Sequence, residues 1–80
     1  MKLSKQSAYF RVTELSDRDS AVLKQSLDSI HGVLSVSVNV SSNKVAVDYD
    51  SSGTNHEDIK AKIEKTGYHA QLLKNQDHIM

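Results

Sequence analysis

Among the side chains that commonly hold metal ions, the chain offers four histidines (His31, His56, His69 and His78), two methionines and no cysteine. Without sulfur thiolates there is no disulfide, no cysteine nucleophile, no zinc knuckle and no iron–sulfur cluster. The histidines never pair at the helical i, i+4 spacing that places two imidazoles on one face. His69 reads first as an exposed strand residue and second as a ligand candidate. His78 and Met80 offer a nitrogen and a sulfur that would grip copper weakly, because a free terminus must first be ordered. His31 reads as a cation at a helix C-terminus, and His56 as an exposed residue in the first turn of a helix. Ser16 and Asp19 form a different pair, a hydroxyl and a carboxylate at capping-box spacing, with Asp in place of the usual Glu or Gln. That spacing suits a helix cap first, with a loop that faces a partner as the second reading. No Gly-x-Ser-x-Gly elbow or phosphate loop appears, so the chain reads as a non-enzyme with no catalytic residues.

Composition narrows the classes further. Ten Lys plus Arg balance ten Asp plus Glu, giving a formal net charge of zero. Nucleic acid and anionic lipid both need a basic excess, so neither is an expected partner. No apolar run approaches the roughly 18 residues of a membrane span, and the opening Met-Lys-Leu-Ser-Lys-Gln-Ser lacks the hydrophobic stretch of a secretion signal. No membrane insertion and a cytoplasmic setting are expected. At 80 residues the chain is one small domain that buries about 60% of its unfolded surface.

Hydrophobic periodicity supplies the elements that must position these groups. Ala8, Phe10 and Val12 alternate with polar neighbours as a half-buried strand. Leu23, Leu27 and Ile30 then fall on one face of a helix that starts near Ser16 and stops at Gly32. Val36, Val38 and Val40 alternate again, Ser41, Ser42 and Asn43 make a turn, and Val45, Val47 and Tyr49 complete a hairpin. Thr54 and Glu57 have capping-box spacing before a second helix carrying Ile59 and Ile63, which Gly67 ends. Tyr68, Ala70 and Leu72 alternate as the last strand. The order β-α-β-β-α-β, with right-handed crossovers, predicts an α+β ferredoxin-like plait: one four-stranded antiparallel sheet with both helices on one face. The expected core is Phe10, Val12, Leu23, Leu27, Ile30, Val36, Val38, Val45, Val47, Ile59, Ile63 and Leu72. Residues 1–7 are expected as a lead, 8–73 as the domain, and 74–80 as a flexible, frayed tail.

Many functions share this fold, so particular residues must choose among them. The series Leu23, Leu27, Ile30, Gly32, Val33, Val36 and Val38 resembles the first helix and second strand of heavy-metal-associated domains. The hairpin ending Val45-Ala-Val47-Asp-Tyr49-Asp50, and the segment from Asp58 to Gly67-Tyr68, resemble the same family. Together they cover roughly residues 9–72. The resemblance implies a copper-chaperone-like module, and it implies a Gly-Met-x-Cys-x-x-Cys loop between the first strand and first helix. Here Thr13-Glu14-Leu15 replaces the lead-in, and the cysteine positions fall near Ser16 and Asp19. Monovalent copper favours sulfur, and one carboxylate plus a serine do not make a four-ligand zinc site. Tyr68 resembles the family tyrosine that shields the metal loop.

The leading expectation is a heavy-metal-associated-like interaction module in metal handling that has lost its thiolate site and needs no cofactor. Ser16, Asp17, Arg18, Asp19 and Tyr68 would then form a partner-contact surface for a protein partner such as a metal-transport protein. One alternative keeps metal binding or metal transport through His69, His78 and Met80, with weakly bound Zn, Cu(II) or Ni. Another is a dimeric small-molecule sensor of the ACT type. RNA-binding plaits fit poorly, because the middle strand offers a single aromatic, Tyr49. The chain is expected as a monomer or weak dimer.

Overall fold

The computed structural model describes residues 5–13 and 15–77. Six elements follow in the expected order: β1 (Lys5–Val12), α1 (Asp17–Asp28), β2 (Val33–Asn39), β3 (Lys44–Asp50), α2 (His56–Lys65) and β4 (Ala70–Asp77). The strands form one antiparallel sheet in the order β2-β3-β1-β4. α1 packs over β2, α2 over β4, and the helices touch each other. The α+β ferredoxin-like plait is therefore the fold.

The alternating residues of β1 and β3 face the helices because only that face can exclude water. Phe10, Val12, Val45 and Val47 meet Leu23 and Leu27 of α1 and Ile59 and Ile63 of α2 in one fully buried cluster. Three expected core residues, Ile30, Val38 and Leu72, are only half-buried against this cluster. Val38 and Leu72 lie on the two edge strands, where one flank has no neighbouring strand. Ala8, Leu15, Tyr49 and Ala70 complete the core instead. Tyr49 is buried despite its hydroxyl because that oxygen reaches the sheet end, 2.8 Å from Gln6 Oε1 and 2.6 Å from Asn75 Oδ1. The Asn75 amide in turn donates to Gln6 Oε1 at 3.0 Å.

This cluster explains a correction at the chain ends. The tail expected to fray from Lys74 instead continues β4 to Asp77, and β1 begins at Lys5 within the expected lead. Gln6 pairs with Asp77, Ser7 with Gln76 and Ala8 with Asn75. Backbone ladders ask for no apolar side chain, so hydrophobic periodicity underestimates their length.

Helix ends differ by a residue or more from expectation. α1 closes at Asp28 with Ser29 as its C-cap, whose hydroxyl donates to the Ser26 carbonyl at 2.6 Å. His31 therefore lies beyond the last turn, exposed, and does not complement the helix dipole as expected. At α2 the cap is Asn55, which accepts from the Asp58 N–H at 2.8 Å, rather than Thr54. Thr54 is buried, and its Oγ1 has no hydrogen-bond partner among the described residues. Asn caps a helix at least as well as Thr, and only Asn55 is exposed.

Candidate functional site

Three connections converge at the end of the sheet where β1 hands over to α1. Leu15 is buried there, pinning the loop to the core. Ser16 caps α1: its Oγ accepts from the Asp19 N–H at 3.4 Å. The Ser16 N–H and Oγ–H donate back to Asp19 Oδ2 at 3.0 and 2.9 Å, so the capping box is closed from both sides. Asp17 and Asp19 also place negative charge in the first helical turn, where the backbone dipole favours it.

The second oxygen of Asp19 is taken as well. Tyr68, in the connection between α2 and β4, donates its hydroxyl to Asp19 Oδ1. Its ring packs half-buried against the core cluster. Tyr68 is thus a loop residue rather than the first residue of the last strand, which starts at Ala70. The hydroxyl of Tyr68, followed by the donors of Ser16, pulls the Asp19 carboxyl below its ordinary value of 3.8. Conversely, the neighbouring carboxylate, helped by partial burial, lifts the Tyr68 phenol above its ordinary value of 10.0.

A third support was not legible as a site residue. Asn43, in the β2–β3 turn, adopts a left-handed backbone with φ of 55°. Its Oδ1 accepts from the Leu15 N–H at 3.1 Å and its carbonyl from the Val12 N–H at 2.9 Å. Asn tolerates this conformation and carries its own acceptor, which is why it fits where another residue would not. The turn was readable from Ser41, Ser42 and Asn43, but not its grip on a loop 28 positions away.

Of the expected contact residues, the structure brings together Ser16, Asp19 and Tyr68 and leaves Asp17 and Arg18 exposed beside them. His69 follows Tyr68 on the surface, exposed. His78 and Met80 lie outside the described residues. Among the described residues no group of three His, Asp or Glu side chains converges as a metal site would need. Ser16 and Asp19 do not fit monovalent copper. Both are hard oxygen donors, and Asp19 already accepts three hydrogen bonds from within the chain.

The Tyr68–Asp19 contact predicts a pH signature. A depressed carboxylate stabilises the fold above its ordinary pKa of 3.8, and that contribution is lost as pH falls through the lower folded value. A raised phenol works oppositely: its contribution is present below about 10 and is lost as pH rises through the folded value. The pair therefore supports the fold across neutral pH. Urea unfolding of Tyr68→Phe should show a deficit against the parent at pH 7 that narrows as the pH drops below about 4. Parallel stability curves through that range would refute the coupling.

The βαββαβ order, with one four-stranded antiparallel sheet, defines a small ferredoxin-like module. Residues 20–69 match the sequence profile of the heavy-metal-associated domain, and the chain belongs to that family. No curated protein sequence matches the chain. Among solved structures, a copper-binding domain from HMA7, a P-type ATPase, superposes with a TM-score of 0.83 at 28% identity, covering 88% of this chain and 96% of that one. The CopZ metallochaperone gives 0.78 at 29% identity, covering 81% and 98%. The N-terminal domain of a potential copper-translocating P-type ATPase from Bacillus subtilis, solved with Cu(I), gives 0.81 at 26%, covering 95% and 96%. The chain is related to copper-binding domains of chaperones and transport ATPases. Among the described residues no helix is long and apolar enough to cross a membrane.

Proposed function

We propose that this chain is a non-catalytic interaction module in metal handling, in which an oxygen-based hydrogen-bond network stands where relatives hold their metal. The observation that carries this reading is the Asp19 carboxylate, satisfied on both oxygens by Ser16 and Tyr68. A carboxylate so engaged must lose those bonds before it can ligate anything, and its donor type suits copper(I) poorly.

On this reading the surface of Ser16, Asp17, Arg18, Asp19 and Tyr68 meets a protein partner. The relatedness to chaperone and ATPase domains supports a metal-transport protein in that role. The module works in the cytoplasm as a monomer or weak dimer and carries no resident cofactor. Zinc or copper at His69, His78 and Met80 is weak, because two imidazoles and a thioether fall short of the ligand number of a tight site.

Competition for Cu(I) against a soft chelator at neutral pH is the direct test. Copper is expected to stay with the chelator, while His69→Ala leaves any residual binding of Zn(II) or Cu(II) weak. A tight one-to-one Cu(I) complex of the unmodified chain would overturn the reading.

A further inference from the structure

The face of the sheet turned away from the helices carries a second surface. Along β1, Tyr9 and Arg11 point outward because their neighbours Ala8, Phe10 and Val12 are buried. Strand register sets what surrounds them. Arg11 lies opposite Lys44, and Tyr9 lies opposite Ala46 on one side and Lys74 on the other. β4 has one extra residue at this level: Phe10 faces Leu72, but Tyr9 faces Lys74. Leu73 is therefore bulged out of the ladder and left 44% exposed. Bulges re-aim side chains in this way and concentrate next to functional sites. Tyr9, Lys44, Leu73 and Lys74 line an open depression of about 360 Å³ beside the small side chain of Ala46.

The charges on this face are segregated. Arg11, Lys44 and Lys74 have Asn39, Gln71, Tyr9 or one another as cross-strand neighbours, and none of these is acidic. The carboxylates lie further along β3 and are already engaged. Asp48 accepts from the hydroxyls of Ser7 and Ser35, and Asp50 from the N–H and hydroxyl of Ser52. Like charges directly opposite on a sheet are unfavourable, so the Arg11–Lys44 pair opposes folding unless an anion joins it.

We propose that this depression docks a short acidic polypeptide segment that lays one apolar or aromatic side chain against Tyr9 and Leu73. Carboxylates of the segment meet Arg11, Lys44 and Lys74, while the bulged leucine and the tyrosine ring supply the apolar anchor typical of interface centres. A phosphate polymer fits less well. It would run on towards Asp48 and Asp50, and the chain as a whole has no net positive charge to hold it. The surface lies across the sheet from the helices and does not depend on the fate of the Ser16–Asp19 corner.

The probe is the peptide acetyl-Glu-Glu-Phe-Glu-Glu-amide, titrated into the 15N-labelled full chain. Amide shifts should concentrate at Tyr9, Arg11, Lys44, Ala46, Leu73 and Lys74 and weaken as salt is added. Lys44→Glu should weaken binding roughly tenfold and yet raise Tm, because it converts a like-charge pair with Arg11 into an attractive one. That opposite movement separates lost docking from lost folding. The proposal fails if this face does not respond, or if Lys44→Glu binds the peptide as well as the parent. It also fails if inorganic phosphate, a thymidine oligonucleotide or phosphatidylserine vesicles perturb the same amides equally at matched ionic strength. A Cu(I) complex in the chelator experiment would leave it untouched.

Discussion

Replacing Gly32 with alanine should cost about 2–5 kcal/mol, a large share of a small domain's stability. Two effects add. Gly32 adopts φ of 97°, a conformation that L side chains rarely enter. A Cβ there would also sit 2.9 Å from the Gly53 carbonyl carbon, 3.0 Å from its Cα and 3.1 Å from the Thr54 nitrogen. All three are backbone atoms of the β3–α2 connection, so nothing flexible can step aside. The strand is held close from the other direction as well, since the Asp50 N–H donates to the Gly32 carbonyl at 2.7 Å. Gly67 is the internal control. Its φ is 104°, but an added Cβ would meet nothing within 4 Å. Gly67→Ala should therefore cost only the conformational part, about 1–2 kcal/mol. Urea denaturation followed by circular dichroism separates the two. Equal losses would mean that backbone conformation alone matters and that the contact with Gly53 is dispensable.

The other large effect is a gain. Ser16→Cys combined with Asp19→Cys should give a one-to-one Cu(I) binder. The two side chains already meet across the first turn, with Ser16 Oγ 2.9 Å from Asp19 Oδ2. A cysteine Sγ at position 19 sits one bond nearer the backbone than Oδ2, and the double variant tests whether an ion spans the wider gap. Thiolates supply the soft ligation that monovalent copper prefers, and a helix N-terminus lowers thiol pKa towards the charged form. The apo variant should be less stable than the parent. It loses the Ser16 cap, about 0.5–2 kcal/mol, together with the anchor that Asp19 gives Tyr68. Copper should restore part of that loss by binding only the folded state. Native mass spectrometry gives the stoichiometry and thermal melts with and without Cu(I) give the linkage. A folded double variant that stays empty would show that this corner is not shaped for sulfur ligation.

What was legible in the sequence follows from how local each feature is. The β2–β3 hairpin and the α1 capping box are short-range patterns, and Ser16 with Asp19 form the cap their spacing predicts. The family could be read as well, because its marks at Leu23, Leu27, Gly32 and Gly67-Tyr68 sit at helix faces and turns. The Tyr68–Asp19 bond joins positions 49 apart and leaves no periodic trace. Tyr49 looked like one more alternating residue, while its burial depends on Gln6 and Asn75 from two other strands. The bulge at Leu73 broke the alternation that would have assigned its face. At α2, local spacing favoured Thr54 and the burial of that residue favoured Asn55.

The grip of Asn43 on Leu15 and Val12 has a practical consequence for anyone rebuilding this corner. A loop transplanted from a relative would arrive without the hairpin tip that braces it and without the tyrosine that latches its far side. Three stretches of chain, distant in order, make one mechanical part. It must be exchanged whole or left alone.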